Sequence, residues 1–270
     1  MTELRYFDAH CHVQFPPYDE DRQELLASMR EQGIGGLVVG VDESSSRKAV
    51  ELVEGEELLW ATAGLHPNSA QEYSGIEVYK KLAEHPKVVG IGECGLDNYR
   101  PENPETTEKH QREVFEAHVA LAAETEKPLM IHARPRKGTM DAYQTLIDIL
   151  LRAKREHGDR LSGNVHFFVG GVDEARALID LDFTLSFTAV LTFTHDYDDV
   201  VRLAPLTHIL SETDSPYVAP PPNRGSRNDP QAVVKVVEAM AGIRGEDVEN
   251  VRVHILENAR RLFRIPAAGP

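Results

Sequence analysis

The sequence predicts an α/β fold, a single domain spanning residues 1–270 that is a (β/α)8 TIM barrel or, failing that, an open parallel sheet. Three observations predict it. Eight short apolar segments alternate with longer amphipathic ones, metal-ligand residues recur at the ends of the apolar segments, and nothing in the composition divides the chain. The strand candidates are Tyr6 to His10, Gly36 to Val41, Leu58 to Leu65, Val88 to Glu93, Leu129 to His132, Asn164 to Phe168, Phe183 to Phe187 and His208 to Glu212. The intervening helical patterns run from Asp21 to Gln32, Ser44 to Glu54, Ile76 to Glu84, Glu108 to Thr125, Thr139 to His157, Asp173 to Asp180, Asp198 to Leu203 and Pro230 to Ala241. Most place apolar residues at the three-and-four spacing of one helix face, as in Leu146, Ile149, Leu150 and Ala153. A last helix, about Asp247 to Arg264, falls outside the eightfold count. The run Ala219-Pro220-Pro221-Pro222 is too short to separate domains and reads as a rigid loop after the eighth strand.

Along the chain, the first strand runs into Asp8-Ala9-His10-Cys11-His12. Side chains alternate faces along a strand, so His10 and His12 point the same way and can grip one metal ion, while Cys11 faces the opposite side. The third strand leads to His66-Pro67. The fourth ends in Gly92-Glu93-Cys94-Gly95-Leu96-Asp97, the fifth on His132, and the sixth contains His166. Asp214 follows the eighth in Ser211-Glu212-Thr213-Asp214-Ser215-Pro216. Any one of these has an ordinary explanation as core or cap. In a barrel, however, the carboxyl ends of all strands meet at one face, so His10, His12, Glu93, His132, His166 and Asp214 converge there. Imidazole and carboxylate together suit zinc, manganese and related divalent ions.

Composition limits the partners. The 44 acidic and 29 basic residues give a formal net charge of −15, which opposes nonspecific binding to nucleic acid or anionic membrane through the whole surface. A polyanionic substrate therefore requires a local cationic patch or metal. Two cysteines, Cys11 and Cys94, make no disulfide framework and read as small buried thiols. No leader-like basic and apolar stretch opens the chain, and no window approaches the run of roughly eighteen apolar residues that a membrane span needs. The expectation is a soluble, cytoplasmic protein without membrane contact and with no evident obligate protein partner.

The motifs resemble those of the TatD family of metal-dependent hydrolases, within the amidohydrolase superfamily of barrels. The matching stretches are Phe7-Asp8-Ala9-His10-Cys11-His12, Ala63-Gly64-Leu65-His66-Pro67, Gly90 to Asp97, Lys127 to His132, and Glu212-Thr213-Asp214-Ser215-Pro216-Tyr217, continuing to Arg224-Gly225-Ser226-Arg227-Asn228-Asp229-Pro230. The resemblance implies two divalent ions, zinc, manganese, magnesium or nickel. One would be held by His10, His12 and Asp214, the other by His132 and His166, with Glu93 bridging them. It also implies phosphodiester hydrolysis, often of DNA and at strand ends.

Elementary chemistry makes that expectation intelligible. Two close divalent ions polarise a phosphoryl oxygen and lower the pKa of a water between them, while Asp214 accepts its proton. Catalytic roles therefore fall to Asp214 and Glu93. His66 is a candidate donor to a phosphate oxygen. Glu212 shares the Asp214 strand face and is a candidate for orienting substrate or a ligand, against the alternative that a neighbouring Lys or Arg merely neutralises it. Arg100, Arg134, Arg224 and Arg227 lie in loops after the fourth, fifth and eighth strands, and their planar forks suit phosphate, although surface solvation is the default for any one of them.

Two departures from the family touch the substrate side. The usual His-Cys-Phe-Ser-Gly is His166-Phe167-Phe168-Val169-Gly170-Gly171 here, and the usual Arg-Asp-Ala after the fifth strand becomes Arg134-Pro135-Arg136-Lys137-Gly138, in a longer stretch between His132 and His166. These changes leave open a metal-dependent amide, lactone or ester hydrolase, and more remotely a metal-binding scaffold without turnover.

Overall fold

The computed structural model describes residues 2–99 and 104–266. Eight parallel strands follow one another in sequential order: β1 (Tyr6–Cys11), β2 (Ile34–Val39), β3 (Leu59–Ala63), β4 (Val88–Asp97), β5 (Leu129–Arg134), β6 (Gly163–Val165), β7 (Phe183–Phe187) and β8 (Ile209–Ser211). The ends of this sheet meet where His12 N–H donates to Ser215 O at 2.8 Å and Asp214 N–H to His10 O at 2.9 Å. Around it lie α1 (Arg22–Glu31), α2 (Glu43–Glu54), α3 (Glu77–Ala83), α4 (Pro104–Thr125), α5 (Asp141–His157), α6 (Val172–Asp180), α7 (Asp198–Leu203), α8 (Val233–Arg244) and α9 (Val248–Phe263). This is the (β/α)8 barrel that the alternating pattern predicts. Among the described residues, no helix is long and apolar enough to cross a membrane.

Local chemistry sets the helix ends. Asp42 accepts the Ser45 N–H at 2.6 Å while the Ser45 hydroxyl accepts the Asp42 N–H, a reciprocal cap that starts α2. Gly245, at φ 66°, stops α8 in the left-handed conformation that glycine adopts without penalty. Several expected boundaries shift, two of them for a visible local reason. β6 stops at Val165 rather than Phe168, because Phe167 turns to φ 46° and leaves extended geometry. α8 begins at Val233, after a short 3-10 turn over Pro230–Ala232 capped by Asp229.

The apolar core divides at the sheet. Outside, Val38, Ile91, Ile131, Val165, Leu185 and Ile209 pack against helix residues such as Leu25, Val50, Phe115, Leu146 and Val236. Inside, Phe7, Ala9, Leu37, Val39, Trp60, Met130 and Leu210 join Leu256, Ala259 and Phe263 of α9. The ninth helix thus closes the amino-terminal end of the barrel. Asn258 Nδ2 ties it to Leu206 O at 2.6 Å and Ile209 O at 2.9 Å, where β8 begins, and the Phe263 ring stacks 6.2 Å from Phe7. Burying such a side chain contributes about 1.5–3 kcal/mol.

Simple alternation fails beside two of the ligands. Phe7 and Ala9 fill the barrel, so strict alternation would send Cys11 inward as well; instead Cys11 packs outside. The cause is an irregularity in register: three residue steps from Asp8 to Cys11 oppose two from Gly36 to Val38. β4 repeats it, with three steps from Ile91 to Cys94 against two from Leu129 to Ile131. Such bulges re-aim side chains. They lie at His10 and Glu93. Gly92 and Gly95, at φ 134° and 145°, make the β4 bend possible, since a Cβ there would come within 2.2 Å of Met130 O and 2.0 Å of His132 O.

Candidate metal centre

At the carboxyl-terminal mouth the six residues singled out by the sequence come together. His10 Nε2 and His12 Nε2 are 3.1 Å apart, and Asp214 Oδ1 lies 3.8 and 3.6 Å from them. The two oxygens of Glu93 face different partners: Oε2 sits 3.4 Å from His10 Nε2, whereas Oε1 sits 2.9 Å from His166 Nε2 and 3.0 Å from His132 Nδ1. One carboxylate therefore spans two groups of imidazoles. Backbone bonds hold several of these residues where they are. Glu93 N–H donates to Gly40 O, His166 N–H to Ile131 O, and Asp214 N–H to His10 O, so barrel hydrogen bonding continues into the site.

The ring tautomers fit cations. His12 Nδ1 is 2.9 Å from Val39 O, which can only accept, so this nitrogen carries the proton and Nε2 presents a lone pair. His132 Nε2 faces Asp97 Oδ2 at 3.2 Å, leaving Nδ1 as the free lone pair toward Glu93 and His166. A histidine with one nitrogen on a carboxylate or carbonyl and the other bare is the arrangement found at metal ions. Ligand atoms of His10, His12 and Glu93, and of Glu93, His132 and His166, form groups within 4.8 Å, as do those of His10, His166 and Asp214. That spacing suits donors roughly 2.0–2.2 Å from a shared ion.

Electrostatics point the same way. Burial pushes the Glu93 carboxyl up, but the facing His166, His66 and His10 outweigh it and hold it well below the usual carboxylate range. Asp214 is likewise held low against its burial by His12, His10 and His166. Both therefore stay ionised. Burial lowers His66 to about 4, so its ring is neutral at pH 7. Its Nδ1 accepts the Asn68 N–H at 3.2 Å, which places the proton on Nε2, 3.4 Å from Glu93 Oε1.

The mouth opens into a cavity of about 460 Å³ lined by five of these ligands, all but His10, together with His66, Arg134, Phe15, Phe167, Val169 and Tyr217. Arg134 Cζ lies over the Tyr99 ring, 4.0 Å from its centre. Glu212 corrects one expectation. It is fully buried, accepts from Phe167 N–H at 2.7 Å and the Ser186 hydroxyl at 2.5 Å, and lies 3.4 Å from His166 Nδ1. It braces a ligand from beneath, out of reach of any substrate, and among the described residues no Lys or Arg pairs with it. Arg227 corrects another, because its guanidinium is occupied by Asp21 at 2.7 Å and Pro17 O at 2.7 Å, away from the cavity. Arg224 lines a neighbouring groove, and Arg100 lies outside the described residues.

Two further carboxylates, to which the sequence alone assigns no role, support the ligands. Asp97 holds His132, and its own backbone is clamped by the buried Gln111 side chain, with Asp97 N–H to Oε1 at 2.9 Å and Nε2–H to Asp97 O at 3.1 Å. Asp8 accepts from His10 N–H at 3.2 Å, Thr213 N–H at 2.9 Å and the Thr213 hydroxyl at 2.5 Å, tying β1 to the segment before Asp214. The signal for Asp97 was its place four residues after Glu93 on the same strand. For Asp8 it was a carboxylate inside a segment that must be buried.

Comparison with known proteins agrees with this geometry. The family model described as TatD related DNase matches residues 7–264. A metal-dependent hydrolase of Bacillus subtilis, YabD, is 34% identical over 96% of this chain and 99% of its own length. A protein of Erwinia billingiae named 3'-5' ssDNA/RNA exonuclease TatD is 33% identical over 97% of this chain and 100% of its own. The crystal structure of the TatD homologue YJJV from Escherichia coli superposes with a TM-score of 0.87 at 26% identity, covering 97% of this chain and 99% of that one. The chain belongs to the TatD-related DNase family and is a metal-dependent hydrolase.

Proposed function

We propose that this protein is a two-metal phosphodiesterase that removes nucleotides from the end of single-stranded DNA or a related nucleic acid. The observation that carries the reading is Glu93, whose two oxygens are divided between His10 on one side and His132 and His166 on the other. His10, His12 and Asp214 would hold one ion, His132 and His166 the second, and Glu93 would bridge. The ion set, zinc, manganese, magnesium or nickel, is one that imidazole and carboxylate accommodate. Divalent ions bound there polarise a phosphoryl oxygen and ease ionisation of water near neutral pH.

The chain's own residues do the rest. Asp214, ionised at the edge of the cavity, takes the proton from the attacking water. His66, neutral with Nε2–H turned into the cavity, donates to a non-bridging phosphate oxygen. Arg134, its Cζ over the Tyr99 ring, supplies a cation against the overall negative charge. The name of the Erwinia relative specifies single-stranded DNA and RNA and cleavage from 3' to 5', which is the polarity we infer here. The unpaired, buried thiols of Cys11 and Cys94 accord with a reducing compartment, and the cytoplasm is the one we infer.

A substrate panel tests the reading. Protein reconstituted with each metal is offered bis(4-nitrophenyl) phosphate, a single-stranded oligonucleotide, a carboxyl ester and a lactone. The expected result is turnover of the first two, shortening of the oligonucleotide from one end, and about two metal equivalents per chain. Turnover confined to the ester or lactone would overturn it.

A further inference from the structure

A second groove, about 570 Å³, lies next to the metal cavity and shares Tyr217 with it. Its walls include Phe193, Pro216, Tyr217, Ala219 and Arg224. Tyr217 is 54% exposed, the most exposed large apolar-bodied side chain among the described residues, and stands between the two cavities. Arg224 differs from the nearby Arg227 in how it is used. Arg227 is spent on Asp21, whereas Arg224 forms no ion pair among the described residues and lies face-on over Phe193, its Cζ 3.7 Å from the ring centre. Stacking covers the face of the guanidinium and leaves its N–H edge for an anion. In a chain of net charge −15, such an unneutralised arginine beside an exposed aromatic is a local exception, and the pairing is the chemistry of single-strand recognition: cation for phosphate, ring for base.

We propose that the groove between Tyr217 and Arg224 binds the nucleotide adjacent to the scissile phosphodiester, its phosphate on Arg224 and its base against Tyr217. The assignment rests on the phosphodiesterase reading above and adds to it a reason for preferring a polymer over a small diester. The metal cavity grips one phosphodiester; the groove, reached past Tyr217, grips the next unit of the strand. Arg227 contributes by packing over Tyr18, 4.8 Å from its ring, and by pinning the loop to Asp21, so it is a positioning residue.

The test separates binding from turnover. In the Asp214→Asn background, binding of a fluorescein-labelled hexathymidylate is followed by anisotropy from 50 to 300 mM salt, with and without Arg224→Ala. The expected result is about tenfold weaker binding on losing Arg224, with the slope of log Kd against log salt smaller by about 0.7, the value for one single-strand phosphate contact. Tyr217→Ala is expected to weaken binding about fivefold with the salt slope preserved, and Tyr217→Phe to restore it, in keeping with about 1–3 kcal/mol for a base on an aromatic ring. In the active protein, Arg224→Ala should lower kcat/KM for a trinucleotide about tenfold relative to that for bis(4-nitrophenyl) phosphate. Equal hexathymidylate affinity and salt slope with and without Arg224, or no hexathymidylate binding at all, would overturn the proposal. So would a dimer in sedimentation that Arg224→Ala dissolves, since it would give the groove to a second copy of the chain. Hexathymidylate binding that depends on Arg224 in a protein inactive on every phosphodiester would sink the phosphodiesterase reading and leave the groove.

Discussion

The two ends of this barrel are built from the same strands and opposite materials. At the amino-terminal end Phe7, Trp60, Phe263 and Leu256 fill the space with carbon and α9 seals it. At the carboxyl-terminal end His10, His12, Glu93 and His166 are almost as deeply buried, yet they are polar and face one another at 2.9–3.4 Å. One end gains from removing apolar surface from water. The other bears the desolvation of charged groups, offset where its carboxylates face ring nitrogens. The contrast teaches that stability and chemistry have been assigned to separate ends of each strand, a division that substitutions can test.

The largest effect should come from Asp214→Asn. Loss of the proton acceptor and of one ligand is expected to cut kcat/KM on a single-stranded oligonucleotide about 10³-fold, within the range for general acid–base groups, with the melting temperature of the metal-free protein lowered by no more than a few degrees. Activity within tenfold of the parent would show that the polar end is not where the chemistry happens. Phe263→Ala should do the reverse. It empties the plug beneath Phe7 and is expected to cost about 3–5 kcal/mol in urea unfolding while kcat at a permissive temperature stays near the parent value. A marked loss of kcat in folded protein would mean that the two ends are coupled.

The helix layer offers an intermediate case. His118 is fully buried, with Nδ1–H on Val114 O at 2.8 Å and Nε2 accepting Leu65 N–H at 3.2 Å, and burial lowers its pKa to about 4. Folded His118 stays neutral while the unfolded chain takes up a proton below its ordinary value near 6.5. Stability is thus fully present above that pH and drains away as pH falls toward 4, by about 3 kcal/mol in all. His118→Gln should flatten the acid limb of the stability–pH curve between those values relative to the parent, and parallel curves would refute the assignment. The smallest effect is expected from Asp97→Asn. It leaves the ligand atoms in place but removes the charge behind His132, and metal affinity measured by chelator competition should fall about 10–100-fold. An unaltered affinity would demote Asp97 from ligand support to simple strand anchoring.

Much of this was legible before the structure. Eight strands and the six convergent residues follow from alternation plus barrel topology, because strand ends meet whatever the precise boundaries. The bulges were not legible. Nothing in Asp8-Ala9-His10-Cys11 announces an extra step, and only the register against β2 shows why Ala9 and His10 both turn inward. For Glu212 the two-residue spacing leaves substrate and ligand both within reach, and the structure settles on the ligand because the strand has already ended at Ser211. Arg227 was grouped with its neighbours by charge, and only the fold brings Asp21 alongside it. Asp97 escaped because Glu93 already accounted for its motif. Sequence pattern reports which face of an element a residue occupies more faithfully than it reports the partner waiting there.

The seam of the barrel has a consequence for how the protein is made. His10 O receives the Asp214 N–H, and Asp8 grips Thr213, so the half-site of His10, His12 and Asp214 unites the first and last strands. During synthesis His10 and His12 are made about two hundred residues before the carboxylate of Asp214 that joins them. A metal-dependent hydrolase assembled this way completes that half-site only when its last strand docks against its first.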